Sequence, residues 1–427
     1  MLISITLPST IQTSISMTIA QERLKDKSRN GLPKLTAAEL TAVNLVRKQG
    51  PLSRTNLANL LDVSRASVTA IAGNLVDLKV LEEVGHGKSE GGRRPRLLDI
   101  NADLGFIAGI DVGATSIDLA LADFRGNILD KRSEPADVRK APEQVLSRIT
   151  ELVIDMLEDR EAMAMDLVGL GIGVPGPVHF PTGMLIEPPL MPAWDSFPIK
   201  DFLRKEFPQT NPVVDNDVNI MAIGEARAGG GKGIDNFFYI KIGTGIGCGI
   251  IAKGEIYRGS DGTAGDVGHI CVDYNGPICH CGNPGCLEAM AAGPAIAKRG
   301  KEAAMSGKSK ILATLMEKSN GTLTAKDVGR AAAAGDQSAN RIIADSGRMI
   351  GGVLAGLVNF YNPRAIFIGG GVTNIGTQLL STIRQATLRR ATALSTRALK
   401  IEFSKLKDDA GVHGATWLAI ENVFLQV

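Results

Sequence analysis

The sequence has no apolar run approaching the roughly 18 residues of a membrane-spanning helix, so no such helix is expected. It also has little charge of one sign: 47 Lys and Arg against 45 Asp and Glu leave a net charge of +2. The first sixteen residues, MLISITLPSTIQTSIS, carry no charge and lack the basic segment and compact apolar stretch of a secretory signal. They read as a disordered tail, or as a stretch upstream of the true start at Met17, and a cytoplasmic location is expected. Cysteine is scarce too, with five residues. Four of them, Cys271, Cys279, Cys281 and Cys286, lie close together, which without a secretion signal favours a metal over disulfides. What remains is ordinary for a globular chain of 427 residues, with 44% hydrophobic and 22% charged residues.

The small net charge hides an asymmetry. Residues 1–100 hold 14 basic and 9 acidic side chains, whereas the remainder holds 33 and 36. A basic front end on a slightly acidic body fits a nucleic-acid module joined to something else. Within the front end, apolar spacing predicts three helices: Thr36 to about Lys48, a second after Ser53, and a third from Ser64 to about Leu78. Thr36 and Glu39 have capping-box spacing. The third helix offers Arg65, Ser67, Thr69 and Asn74, short polar and basic groups suited to base edges and phosphates in a major groove. Val80–Val84, a turn through Gly91-Gly92, and Arg93-Arg94-Pro95-Arg96 then read as a two-stranded wing with a basic tip. Arg93, Arg94 and Arg96 are candidate phosphate or minor-groove contacts. The plainer alternative is a small helical docking domain with solvated charges.

From Phe106 the pattern becomes α/β. Three strands run into glycine-rich turns. The first carries Asp111, Gly113 and Thr115; the second Gly243, Thr244, Gly245 and Gly247; the third Gly369, Gly370 and Gly371. Such turns present backbone N–H groups to phosphate, and a neighbouring carboxylate and hydroxyl suit magnesium. Any one of them is equally well a structural turn. Between them, a strand ends at Asn216 and Asp217. A carboxylate there is placed to take a proton from a sugar hydroxyl during phosphoryl transfer, with Asn216 hydrogen-bonding neighbouring hydroxyls. The alternative is that Asp215 and Asp217 only cap the next helix.

His269, Cys279, Cys281 and Cys286 form one imidazole and three thiolates, the donor set of a closed, tetrahedral structural zinc site. Gly282 and Gly285 let the loop fold back. Cys271 and His280 compete for the role, and His280, between two ligands, is expected to point away. Free thiols are the alternative.

Taken in order, Asp111–Thr115, Gly173-Val174-Pro175-Gly176-Pro177, Asn216-Asp217, Gly243–Gly247, Gly268-His269, the Cys279–Cys286 loop with Leu287-Glu288, and Gly369–Gly371 resemble the ROK family of repressors, open reading frames and kinases over about residues 104–420. The resemblance implies a two-lobed actin-like (ribonuclease-H-like) ATPase or sugar-kinase fold. The front end resembles the winged helix-turn-helix of the family's regulator branch. The implied organisation is a tail over 1–33, a winged helix-turn-helix over 34–103 and a ROK domain over 104–427. It further implies sugar contacts by Asn216, Asp217, Asp266, His269 and Glu288, with Asp217 the base if the chain is a kinase. Two features depart from the kinases of the family. Asp266 stands where they carry Glu, and the Asn expected ahead of the Pro-Ala-Trp segment ending at Trp194 is missing. The function implied is a repressor of carbohydrate genes that binds operator DNA as a homodimer or homotetramer and answers to a sugar or sugar phosphate. The other implied reading is an ATP- and magnesium-dependent sugar kinase with an accessory domain.

Overall fold

The computed structural model describes residues 32–87 and 94–424. The tail expected over 1–33 therefore lies almost wholly outside the described residues, as do the wing tip and Arg93. Leu32 is buried in the front-end core.

The front end forms where its capping residues predict. Thr36 and Glu39 close a capping box at the start of α1 (Ala37–Gln49). After the short β1 (Leu52–Ser53), Ser53 and Ser64 cap α2 (Arg54–Leu61) and α3 (Arg65–Asp77) by accepting the Asn56 and Ser67 N–H groups. Then β2 (Leu81–His86) and β3 (Arg96–Ile100) pair antiparallel, with β1 added on the other side of β3. Three helices and a three-stranded wing sheet result.

The body opens with β4 (Phe106–Val112), β5 (Ser116–Ala122) and β6 (Ile128–Pro135), followed by α4 (Pro142–Glu158), β7 (Leu167–Val174), the hairpin β8 (Val178–His179) and β9 (Met184–Leu185), α5 (Ile199–Glu206), β10 (Val213–Asn216) and α6 (Asp217–Arg227). The second half repeats the scheme with β11 (Phe237–Ile242), β12 (Ile246–Ala252) and β13 (Glu255–Tyr257). There follow α7 (Leu287–Ala291), α8 (Gly293–Met305), α9 (Lys310–Lys318), α10 (Ala325–Ala333), α11 (Gln337–Tyr361), β14 (Ala365–Gly369), α12 (Thr377–Arg390), α13 (Ala393–Thr396), β15 (Lys400–Phe403) and α14 (Ala410–Asn422). The two five-stranded sheets run β10-β7-β4-β5-β6 and β13-β12-β11-β14-β15. Numbered within each half, both have the same order, with an antiparallel meander of three strands and two parallel additions. This duplication is the actin-like, two-lobed architecture.

Helix α14 joins the halves to the front end, and it does so by close approach of backbones. A Cβ on Gly414 would lie 1.6 Å from the Ile220 carbonyl oxygen, and one on Gly224 would lie 2.1 Å from that of Ala410. On the sheet side, a Cβ on Gly171 would lie 2.1 Å from the Ala415 carbonyl oxygen. So α14 crosses α6 in backbone contact and lies closely on β4 and β7, with Thr416 seated over Gly109. At its far end, Ile420 and Val423 share one buried cluster with Ile107, Phe124 and Val168 of the body and with Val46, Leu81 and Leu98 of the front end. The winged helix is thus docked on the body, through a connection of five residues between β3 and β4 that includes one turn of 3-10 helix.

Among the described residues, no helix is long and apolar enough to cross a membrane. The glycine contacts give a paired prediction. Gly414→Ala should destabilise the protein by about 1–3 kcal/mol through overpacking. Gly356→Ala, in α11 where an added Cβ meets nothing within 4 Å, should stabilise it by about 1 kcal/mol or less through helix propensity. Denaturant unfolding that ranks the two the other way would contradict the packing described.

Candidate functional site

The cleft between the sheets is built from strand ends. Asp111 lies near the end of β4, Asn216 ends β10, and Asp217 opens α6. From the opposite sheet come the Gly243–Gly245 turn after β11 and Gly369 at the end of β14. Asp217 and Asp111 both lie close enough to act on Lys241 of the opposite sheet. Asn216 is the N-cap of α6: its side-chain oxygen accepts the Val218 N–H at 2.9 Å, and its Nδ2 donates to the Gly176 carbonyl at 2.9 Å. The cap is thus Asn216 rather than Asp215 or Asp217, and the Pro175-Gly176-Pro177 segment is fastened to the same residue.

Two ion pairs cross the cleft. Arg258, after β13, donates from Nε to the Asp215 Oδ2 at 2.8 Å, with Nη2 2.7 Å from the same oxygen in an ion pair. Its guanidinium lies 3.7 Å over the Phe180 ring. Lys241, from β11, bonds the Oδ2 of Asp217. Both residues of that pair are largely buried. Burial opposes the ammonium, but the neighbouring Asp217 and Asp111 outweigh it and hold the Lys241 amine above its ordinary value. Asp111 is buried, and its Oδ1 has no hydrogen-bond partner among the described residues. Burial pushes its carboxyl up to about 7; Lys241 pulls it down, and Asp217 and Asp118 add to the rise. Lys241 has no counterpart among the residues predicted from the sequence. The signal available was a lysine inside the apolar strand Phe-Phe-Tyr-Ile-Lys-Ile.

Glu288, at the start of α7, accepts the Ile246 N–H at 3.0 Å. Its carboxylate fills the space a Cβ on Gly245 would need, at 2.3 Å, which explains a glycine there. Glu288 is thereby joined to the second glycine turn. Asp266 is exposed, with Oδ1 3.8 Å from the His269 Nε2. Thr115 and Thr244 are exposed at their turns, and Gly370 has a left-handed φ of 88°.

Beside this cleft, His269, Cys279, Cys281 and Cys286 bring their donor atoms within 4.8 Å of one another. The Cys279 Sγ is 3.5 Å from the His269 Nδ1, and the Cys281 and Cys286 sulfurs are 3.6 Å apart. Zinc–sulfur bonds of about 2.3 Å place the sulfurs of a tetrahedral site about 3.8 Å apart, so the cluster has the dimensions a zinc ion needs. Cys271 and His280 stand outside the cluster. Cys286 is also the residue before α7, so a metal there would fix the start of the segment carrying Glu288.

On the front end, Arg65, Ser67 and Thr69 are exposed in the first turns of α3, although the Thr69 hydroxyl donates to its own helix at 2.7 Å. Arg94 is exposed at the wing. Two predicted DNA contacts have other partners. Asn74 donates to Glu39 at 2.5 Å and ties α3 to α1. Arg96 is ion-paired with Glu83, which also holds Arg54 at 2.7 Å.

The chain matches the ROK family over residues 107–422. The chain belongs to the ROK family. A xylose repressor of Caldicellulosiruptor bescii is 31% identical over 373 residues, covering 87% of this chain and 92% of its own length. A glucokinase of Halalkalibacterium halodurans is 37% identical over 311 residues, covering 73% of this chain and 93% of its own length. Among solved structures, a ROK family transcriptional regulator, a homologue of the Escherichia coli MLC protein, superposes with a TM-score of 0.78 at 26% identity, covering 91% of this chain and 98% of that one. The repressor match and the regulator structure each cover more of this ROK chain than the kinase match does.

The raised Asp111 carboxyl yields a pH prediction. A carboxyl pushed up on folding lends stability below its unfolded value near 3.8, and that contribution is lost as pH rises through about 7. Asp111→Asn should remove that loss, so that the variant gains stability over the wild type between pH 4 and pH 8. Parallel unfolding curves for the two proteins across that range would contradict the burial described.

Proposed function

We propose that this ROK chain is a sugar-responsive transcription repressor of carbohydrate genes. Its winged helix binds operator DNA, and a sugar or sugar phosphate in the cleft releases it. One observation supports this reading most. Helix α6 starts at the cleft with Asp217 and ends, about 16 Å away by its helical rise, at Arg227 in a charged joint with the winged helix. Arg227 donates to Glu421 of α14 at 2.7 Å and lies 3.6 Å from Glu255. Glu255 in turn bonds Lys48 of α1. Arg47 of α1 points into the same joint, with Nε and Nη2 buried and without a hydrogen-bond partner among the described residues. Burial lowers its guanidinium to about 10; Glu421 opposes this and Arg227 adds to it. Three cations against two carboxylates make a joint whose closed form is incompletely compensated, so a small shift of α6 changes its balance.

In this reading, Asn216, Asp217, Asp266, His269 and Glu288 hold the sugar hydroxyls. Zinc, held by His269, Cys279, Cys281 and Cys286, fixes the segment bearing Glu288 and leaves the His269 Nε2 free to donate. Arg65, Ser67, Thr69 and Arg94, together with Arg93 outside the described residues, face DNA. A homodimer would present two recognition helices about one helical turn apart. The ligand must prefer the DNA-free arrangement, or nothing is regulated. Because the relatives include a xylose repressor, pentoses head the panel of effectors.

Mobility-shift titration with operator fragments from its own and neighbouring operons tests the proposal. Sequence-preferring binding that weakens at least tenfold on adding one sugar is expected; binding to no fragment, even at low salt, would sink it. Glu255→Ala should leave sugar binding intact and reduce the sugar's effect on DNA. Cys281→Ser should lose bound zinc and melt several degrees lower, since metal affinity is linked to folding. Equal melting temperatures and a zinc-free wild type would refute the metal assignment. The second reading, a sugar kinase, draws on the glucokinase match and predicts sugar-dependent ADP release.

A further inference from the structure

The glycine turns of the cleft are those a nucleotide would use, yet the carboxylates between them are not free. A magnesium ion carrying phosphate takes carboxylate oxygens as ligands and keeps several waters. Asp111, whose buried Oδ1 has no hydrogen-bond partner among the described residues, suits that role. Asp217 does not, because the Lys241 ammonium already bonds its Oδ2, with the amine and the carboxylate only 19% and 7% exposed. Two consequences follow from elementary chemistry. A general base needs an oxygen lone pair aimed at the hydroxyl it deprotonates, and the Lys241 ammonium takes up a lone pair of the Asp217 Oδ2. A divalent cation brought beside a fixed ammonium meets repulsion in a site with little water to screen it. Lys241 lies on β11 of one sheet, and Asp217 directly follows β10 of the other, so the pair links the two halves at the strand ends.

We propose that Lys241 is a built-in cation in the phosphoryl-transfer position, so that the cleft takes up a sugar without magnesium nucleotide and carries out no phosphoryl transfer. This rests on the cleft being the sugar site of the preceding section. The ammonium supplies the cross-lobe charge that magnesium and phosphate would otherwise bring, and the two lobes are held together without nucleotide. The opposite role for a cleft lysine, gripping the phosphate as a point charge, is also known chemically, and the test separates the two.

The probe is Mg·AMPPNP, titrated calorimetrically into the full-length protein with and without magnesium. Wild type should show no magnesium-dependent affinity tighter than millimolar, and no ADP release with ATP across a panel of pentoses and hexoses. Lys241→Met should gain at least tenfold in magnesium-dependent AMPPNP affinity. Lys241→Gln, which keeps a hydrogen bond to Asp217 without the charge, should gain in the same direction and guards against a Met variant that fails to fold. Retained operator binding is the check that a variant is folded. No gain in folded Lys241→Gln would overturn the proposal, as would a wild type that turns over sugar and loses that activity on replacing Lys241. The regulator reading fails separately, if wild-type DNA binding ignores every sugar.

Discussion

The structure depends on the crossing of α6 over α14, where glycine on each helix faces backbone on the other. Because Gly224 and Gly414 offer no Cβ, the Ala410 and Ile220 carbonyls occupy the space side chains would take. Packed interiors transmit displacement because they have little free volume to absorb it. Helices in backbone contact, pressed on β4 and β7 through Gly109 and Gly171, have less still. The cleft residue Asp217 and the joint residue Arg227 therefore belong to one stiff unit, and Glu421 of α14 completes the joint at the end where the winged helix docks.

The two charged systems on that unit differ in kind. At the cleft, Lys241 with Asp217 and Arg258 with Asp215 are buried pairs across the lobes, and breaking either would leave an uncompensated charge in a poorly solvated place. At the winged helix, Lys48 and Glu255 are half exposed and their contact contributes little individually, although Arg47, Arg227 and Glu421 beside them are more buried. Apolar packing in the shared cluster around Phe124, Leu98 and Ile420 holds the winged helix in place, while the weak ion pairs leave its exact seating adjustable. That contrast suits a regulator: a firm ligand cleft and a stable yet adjustable DNA module.

Much of this was legible in the residues. Thr36, Ser53 and Ser64 marked three helix starts because capping is a local interaction between residues three apart. The Cys279–Cys286 loop with His269 announced its cluster because metal geometry restricts spacing. The glycine turns placed the cleft. What stayed hidden was long-range. Lys48 and Glu255 stand 207 positions apart, with no local pattern to pair them. Gly224 and Gly414 look like weak points in helices until the crossing explains them. Asn74 and Arg96 have the chemistry of DNA contacts, and only tertiary structure reveals that Glu39 and Glu83 engage them. Lys241 gave no local signal, because a lysine within a strand reads as an outward-facing residue.

The central claim is that cleft and winged helix share one equilibrium, and linkage makes it measurable from the side opposite to gene control. If a sugar weakens operator binding by some factor, saturating operator DNA must weaken sugar binding by the same factor. Calorimetric titration of the effective sugar into the protein, free and operator-bound, should give dissociation constants whose ratio matches the sugar's effect on DNA affinity. A sugar that binds the free and DNA-bound protein equally well would contradict the account.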